Sequence, residues 1–234
     1  EPVIHSNMTK TNHTRLAINA VCKLLGGLGM IALLLFVPAG TWCYWQAWLF
    51  IALLFIPMTI MGIWLLCSNP TLLSKRLNNK EKQNEQKAVV ALSGLMFVVG
   101  FVLCGLDARF AWSHIPMWLI VGGSLLFLIG YALYGEVMRE NTYLSRTIEV
   151  QDGQQVIDTG LYAVVRHPMY LATLLMYLAM PLVLGSAWAL LVFAAYPILI
   201  IKRIQNEEQV LLAGLPGYAE YQQRVRYRLI PFVW

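Results

Sequence analysis

The chain has 234 residues, of which 59% are hydrophobic and only 12% charged, with a mean hydropathy of +0.61 and a formal net charge of +5. That make-up excludes an ordinary soluble domain and reads as an all-α, polytopic integral membrane protein. The positive balance is accounted for by membrane topology and anionic lipid headgroups, so it calls for no nucleic-acid partner.

Taken in chain order, apolar runs long enough to cross roughly 30 Å of hydrocarbon, which takes about 20 helical residues, occur at 16–37, 44–67, 88–106 and 115–135. The first follows a basic stretch, as a signal peptide does, but its 22 residues and internal Lys23 favour a retained helix. Between the second and third runs, residues 68–87 read as a polar loop, with Asn69-Pro70 favouring a turn and Glu81 and Glu85 among lysines as a solvated face. Residues 141–165 form a longer polar connection with a possible short hairpin around Asp152-Gly153. The last apolar block, 169–201, is broken by Gly185-Ser186 and carries Pro181 and Pro197, so each half has about 16 residues. Sixteen helical residues span roughly 24 Å, which is marginal for a bilayer and predicts a kinked helical hairpin. The expected architecture is four spans plus this hairpin. Residues 1–140 supply the transmembrane helices, and 141–234 the connection, hairpin and tail of one integrated domain.

If every run crosses, 15 of the 17 basic residues fall on one side, from Lys10 and Arg15 through Lys75, Arg76, Lys80, Lys82 and Arg146 to the tail, with Arg109 opposite. The positive-inside rule makes that side, and both termini, cytoplasmic. Trp42, Trp45, Trp48 and Trp64 read as interface belts and helix packing, and Gly122, Gly123 and Gly130 as points of close helix contact. The four cysteines, Cys22, Cys43, Cys67 and Cys104, show neither CxxC spacing nor a histidine cluster, so no metal site is expected.

Two polar knots flank the hairpin: Gly160-Leu-Tyr162-Ala-Val-Val-Arg166-His167-Pro168-Met-Tyr170 before it, and Arg203-Ile-Gln-Asn-Glu207-Glu208 after it. Ionisable groups at a membrane boundary are costly, which marks a functional site by default. Pro168 suits the first position of a helix, and it pushes His167 into an extended conformation. The helix N-terminus behind it offers unpaired N–H groups to a carboxylate or phosphate, and Arg166 adds a forked cation. Gly160 can supply the tight turn that brings the connection there. The twin glutamates provide the opposite sign, suited to an ammonium or to ribose hydroxyls. Alternatively, Arg203 and Glu207 simply pair at i,i+4, and Arg166 snorkels to lipid phosphates.

Arg166-His167-Pro168-x-Tyr170, preceded by Gly160-x-Tyr162 and followed by Glu207-Glu208, resembles the signature of the isoprenylcysteine carboxyl methyltransferase family and its bacterial relatives, with phospholipid methyltransferases as more distant kin. The tail, with Leu215-Pro-Gly-Tyr218-Ala-Glu-Tyr221 and Arg226-Tyr-Arg228-Leu-Ile-Pro231, is similar to the family's C-terminus. The resemblance implies a membrane-embedded methyltransferase that binds S-adenosyl-L-methionine in a cytosolic pocket and accepts a lipophilic or lipidated substrate. It implies further that Arg166, His167, Pro168 and Tyr170 contact the cofactor, that Glu207 and Glu208 hold its polar end, and that Gln154, Val156, Ile157, Gly160 and Tyr162 line the pocket. Either Arg166 or Arg203 would orient the acceptor, with Glu207 beside the reacting groups. Gln154 stands where many relatives have histidine, and Ala172 replaces the family's common glycine. Two rival readings stay open: a membrane reductase of the sterol-reductase type using NADPH, and a scaffold or transporter without catalysis.

Overall fold

The computed structural model describes residues 2–78, 84–144, 148 and 150–234, with side chains from residue 13 onward except at 84 and 85. Lys80, Glu81, Lys82, Arg146 and Glu149, and the side chains of Lys10 and Glu85, lie outside the described residues. Helices α1 (Pro2–Ala39) and α2 (Trp45–Ser68) form a first hairpin. A short helix α3 (Pro70–Leu77) leads to a second hairpin of α4 (Asn84–Phe110) and α5 (Met117–Glu140). After the polar connection come α6 (Pro168–Val183), α7 (Ala187–Phe193), α8 (Tyr196–Gly214) and α9 (Tyr218–Arg224). No strand occurs among the described residues.

Five stretches are long and apolar enough to cross a membrane: His13–Ala39, Trp45–Ser68, Gln86–Phe110, Met117–Glu140, and Ala187–Gly214, which combines α7 and α8. The hairpin is therefore unequal, contrary to the two matched halves expected from sequence. The apolar run stops at residue 201, but Lys202 to Glu208 are good helix formers and α8 continues through them to Gly214. Its partner α6 keeps only 16 residues.

Segment 68–87 is also more than a solvated loop. Asn69 does not simply turn: its side chain accepts from Leu72 N–H at 3.0 Å and caps α3, with Pro70 at the first helical position. Leu72 and Leu73 bury against Leu65, Val137, Met138, Leu144 and Tyr162, so α3 tucks beneath the polar connection. Lys23 donates to the Leu77 carbonyl at the end of α3, which explains a lysine inside the first apolar run.

Helix α6 lies tightly along α5. A Cβ on Gly130 would stand 2.7 Å from Met176 Cγ and 2.9 Å from the Ala172 carbonyl, and one on Gly123 would stand 2.8 Å from Leu182 Cβ. Gly122 has nothing within 4 Å, so it is not a contact glycine; one residue further round the helix faces outward. Phe50, Phe101, Phe127 and Phe193 fill the centre, with ring centroids 5.6 Å (Phe50–Phe101), 5.9 Å (Phe50–Phe127) and 6.1 Å (Phe101–Phe193) apart. Trp42 and Trp48 sit exposed beside one another against Phe36, each 4.8 Å from its ring, as an interface belt would.

The α6–α7 turn is fastened at the end of the bundle far from the connection. Gly185 adopts φ +75°, and Ser186 caps α7 by accepting from Ala189 N–H at 3.1 Å. The Ser186 hydroxyl donates to Asp107 at 2.6 Å, and Asp107 also receives the Ser113 N–H at 2.8 Å and the Ser113 hydroxyl. At the other end, Gln154 N–H donates to the Gln151 carbonyl at 3.0 Å with Gly153 at φ +69°. The expected turn at Asp152-Gly153 exists, but no hairpin strands flank it among the described residues.

Candidate functional site

The site forms where α6 begins. Pro168 occupies the first position of α6, and His167 before it has φ −126° and ψ 60°, outside helical space. A 3₁₀ turn, Gly160–Ala163, feeds this bend. Gly160 has φ +49°, and a Cβ there would fall 1.6 Å from a Glu140 carboxylate oxygen. Only glycine fits both constraints. Glu140 in turn accepts from Leu161 N–H at 3.1 Å, satisfying the start of the turn.

The tail crosses in front of this bend. Arg166 N–H donates to the Tyr227 carbonyl and His167 N–H to the Arg228 carbonyl, both at 2.9 Å. The Arg166 guanidinium adds Nη1 contacts to the Val225 carbonyl at 2.7 Å and the Arg226 carbonyl at 3.0 Å. Tyr221 donates its hydroxyl to the Tyr162 carbonyl at 2.7 Å, and Asn141 Nδ2 donates to the Tyr162 hydroxyl at 2.9 Å. Val156 packs with Leu215, Tyr218, Tyr221 and Val225, while Ile157 packs in the group around Tyr162. Gln154 uses its Oε1 to accept from Gln151 N–H at 2.9 Å, which tightens the turn at 151–154.

The two sequence motifs meet through the twin glutamates, which take different tasks. Glu208 is buried and gathers Arg166 Nε at 2.7 Å, His167 Nε2 at 3.2 Å, Arg228 Nε at 2.9 Å and Gln222 Nε2 at 3.3 Å. Its four partners come from three separate stretches of chain. Arg166 is thus not an open fork: its Nε and Nη1 are engaged by Glu208 and the tail. Glu207 is half-buried and accepts from the Tyr170 hydroxyl. Tyr170 also receives Arg203 Nε at 3.0 Å, so Arg203 and Glu207 are linked through a phenol between them.

Sequence reasoning missed a further participant on α4. Gln86 is buried and its Oε1 accepts from Arg203 Nη1 at 3.2 Å. Three buried polar atoms in this quarter lack a hydrogen-bond partner among the described residues: Gln86 Nε2, Asn206 Nδ2 and the Tyr218 hydroxyl. The only signal for Gln86 in the sequence is a neutral polar residue at the edge of an apolar run. Asn206 and Tyr218 carry none by spacing.

Burial raises the Tyr218 phenol above its ordinary pKa, and the negative charges of Glu208 and Glu207 raise it further. Tyr162 and Tyr221 are raised as well, chiefly by burial. All three stay neutral hydrogen-bonding groups at physiological pH. No group of three or more His, Cys, Asp or Glu capable of holding a metal occurs among the described residues.

Residues 123–213, which contain both motifs, match the isoprenylcysteine carboxyl methyltransferase (ICMT) family. The whole chain also superposes on the eukaryotic intramembrane Ras methyltransferase ICMT with a TM-score of 0.60, covering 100% of this chain and 87% of that one. Sequence identity there is 16%, so this likeness bears on the fold. A Delta(14)-sterol reductase, TM7SF2 of Mus musculus, is 33% identical over 150 residues, covering 55% of this chain. The chain spans 35% of that reductase's length. The bundle of apolar helices and the family match together make this an integral membrane protein.

Proposed function

We propose that this protein is a member of the ICMT family and an S-adenosyl-L-methionine-dependent methyltransferase that O-methylates the carboxylate of a lipophilic or lipidated acceptor at the cytosolic face of its membrane. The observation that carries the reading is the convergence of the motif's two halves, with Arg166 2.7 Å from Glu208 and Tyr170 donating to Glu207. The residues fit the cofactor's chemistry. S-adenosylmethionine carries a carboxylate, an ammonium and ribose hydroxyls, and the site offers donors in Asn206 Nδ2 and the Tyr218 hydroxyl beside the half-buried carboxylate of Glu207. His167, Pro168 and Tyr170 form the wall, while Gln154, Val156, Ile157, Gly160 and Tyr162 shape the connection over it. In this reading Arg166 and Glu208 set the frame instead of touching the ligand.

The bound cofactor supplies an electrophilic methyl group on a sulfonium. The protein's own residues hold the acceptor and keep water out. A carboxylate is already ionised at neutral pH, so positioning matters more than deprotonation, and no dedicated base is required. Arg203, anchored by Tyr170 and Gln86, is the cation placed to orient that carboxylate. Transfer from a cation to an anion removes charge as it proceeds. Burial of Tyr170, Tyr196 and Ile204 around Arg203 therefore favours the step by limiting water. The basic end of the bundle is the cytosolic one by the positive-inside rule.

The test is incubation with radiolabelled S-adenosylmethionine and a total membrane lipid extract, followed by mild base. Base-labile label supports an ester product, base-stable label points to nitrogen or sulfur, and no label on lipid refutes the reading. The 33% identity to a sterol reductase favours a second reading, an NADPH-dependent reductase. Calorimetry with each cofactor separates them, since tight NADPH binding without S-adenosylmethionine binding selects the reductase.

A further inference from the structure

Gln86 lies on α4, outside residues 123–213 and outside both sequence motifs. It is 1% exposed, and a primary amide in that position normally has every polar atom paired. Its Oε1 is committed to Arg203 Nη1, a group that can only donate. The orientation of the amide is thereby fixed, because a flipped amide would face donor to donor. The NH₂ group is left pointing away from Arg203 with no partner among the described residues. An unpaired buried donor is destabilising, and a folded protein tolerates it where a ligand completes the bond.

Two features decide which ligand atom it meets. The donor stands beside the Arg203 guanidinium, and a carboxylate is the group that accepts from a guanidinium and an amide N–H together. Gln86 also precedes the apolar run 88–106 by two residues, the level at which the headgroup of an amphiphile meets hydrocarbon. We infer that Gln86 Nε2 and Arg203 together receive the carboxylate of the methyl acceptor, making Gln86 a substrate-binding residue supplied by the N-terminal half of the bundle. The inference rests on the methyltransferase reading. A carboxylate also exists on the methyl donor, and the experiment separates the two sources.

Gln86→Glu keeps the acceptor that Arg203 needs and replaces only the unpaired NH₂ with a carboxylate oxygen. Gln86→Met keeps the volume and removes both polar atoms. For each variant two quantities are measured: the apparent KM for the lipid extract in formation of base-labile label, and the Kd for S-adenosylmethionine by calorimetry. The expected result is an acceptor KM at least tenfold higher in Gln86→Glu, with donor Kd unchanged within twofold and kcat reduced less than KM is raised. Gln86→Met follows the same direction, and thermal melting in detergent verifies that each variant is folded. An unchanged acceptor KM in folded Gln86→Glu overturns the inference. A weakened donor Kd with unchanged acceptor KM also overturns it and hands the amide to the donor's carboxylate. Absence of any base-labile label with the unaltered protein overturns the parent reading, and this inference with it.

Discussion

Two carboxylates are buried almost equally in this protein, Glu208 at 3% exposure and Asp107 at 2%, and they sit at opposite ends of the bundle. Glu208 is surrounded by Arg166, His167, Arg228 and Gln222, groups drawn from the connection, α9 and the tail. Among the described residues, Asp107 meets only hydroxyls and a backbone amide, from Ser113 and Ser186. Burial alone does not separate a working site from a fastening. The chemistry of the partners does. The first cluster joins charged groups where the two sequence motifs meet, whereas the second uses neutral groups to tie the α4–α5 connection to the α6–α7 turn at the far end of the bundle.

The comparison can be broken most forcefully at Glu208. Glu208→Leu leaves Arg166 buried without its counter-ion, and removal of one partner of a buried pair costs about 3–5 kcal/mol. Denaturant unfolding in detergent should show that loss, with cofactor binding abolished. The double variant Arg166→Met, Glu208→Leu should regain most of the stability and none of the binding; a single variant that melts like the parent protein contradicts the account of the cluster. Asp107→Asn is expected to cost less, about 1–3 kcal/mol, since only neutral donors lose a carboxylate oxygen as acceptor. Binding of S-adenosylmethionine should be unaffected there, and a loss comparable to that of Glu208→Leu would erase the distinction between the two ends.

A steric contrast sharpens the same division between what is packed and what is open. Gly130→Ala forces a methyl against Met176 and the Ala172 carbonyl, and overpacking of this kind costs about 1–3 kcal/mol. Gly122→Ala meets nothing and should fall within about 0.5 kcal/mol of the parent. The smallest effect is alkaline. Tyr162, Tyr218 and Tyr221 are raised above the ordinary phenol range by burial, so the folded protein keeps them neutral where the unfolded chain ionises. Their contribution to stability is intact below about pH 10 and declines as the pH rises beyond it. Absorbance titration near 295 nm should show Tyr162, Tyr218 and Tyr221 among the tyrosines that ionise only with unfolding.

Much of this was legible in the sequence because lipid imposes strong periodicity-free signals: long apolar runs, and charges confined to one end. The start of α6 at Pro168, the tight turn at Gly160 and the meeting of the two polar knots follow from proline, glycine and charge chemistry that act locally or in pairs, whereas the direct pairing of Arg166 with Glu208 did not show in the sequence. Other features depend on three-dimensional neighbours. The tuck of α3 was hidden because Asn69-Pro70 serves equally well as a turn or as a helix cap, and only the burial of Leu72 and Leu73 distinguishes them. The full length of α8 was hidden because hydropathy registers lipid contact and not helicity. Gln86 and Glu140 act through contacts 117 and 21 residues away, a distance at which no spacing rule operates.

The four-donor grip on Glu208 has a consequence for how the protein can be altered. A carboxylate that locks three distant stretches at once behaves as a keystone, present in full or not at all, so graded adjustment of ligand preference is unavailable there. Redesign of selectivity belongs instead to Gln86 and Glu207, where the described contacts are fewer and one bond can be changed without bringing down the arch.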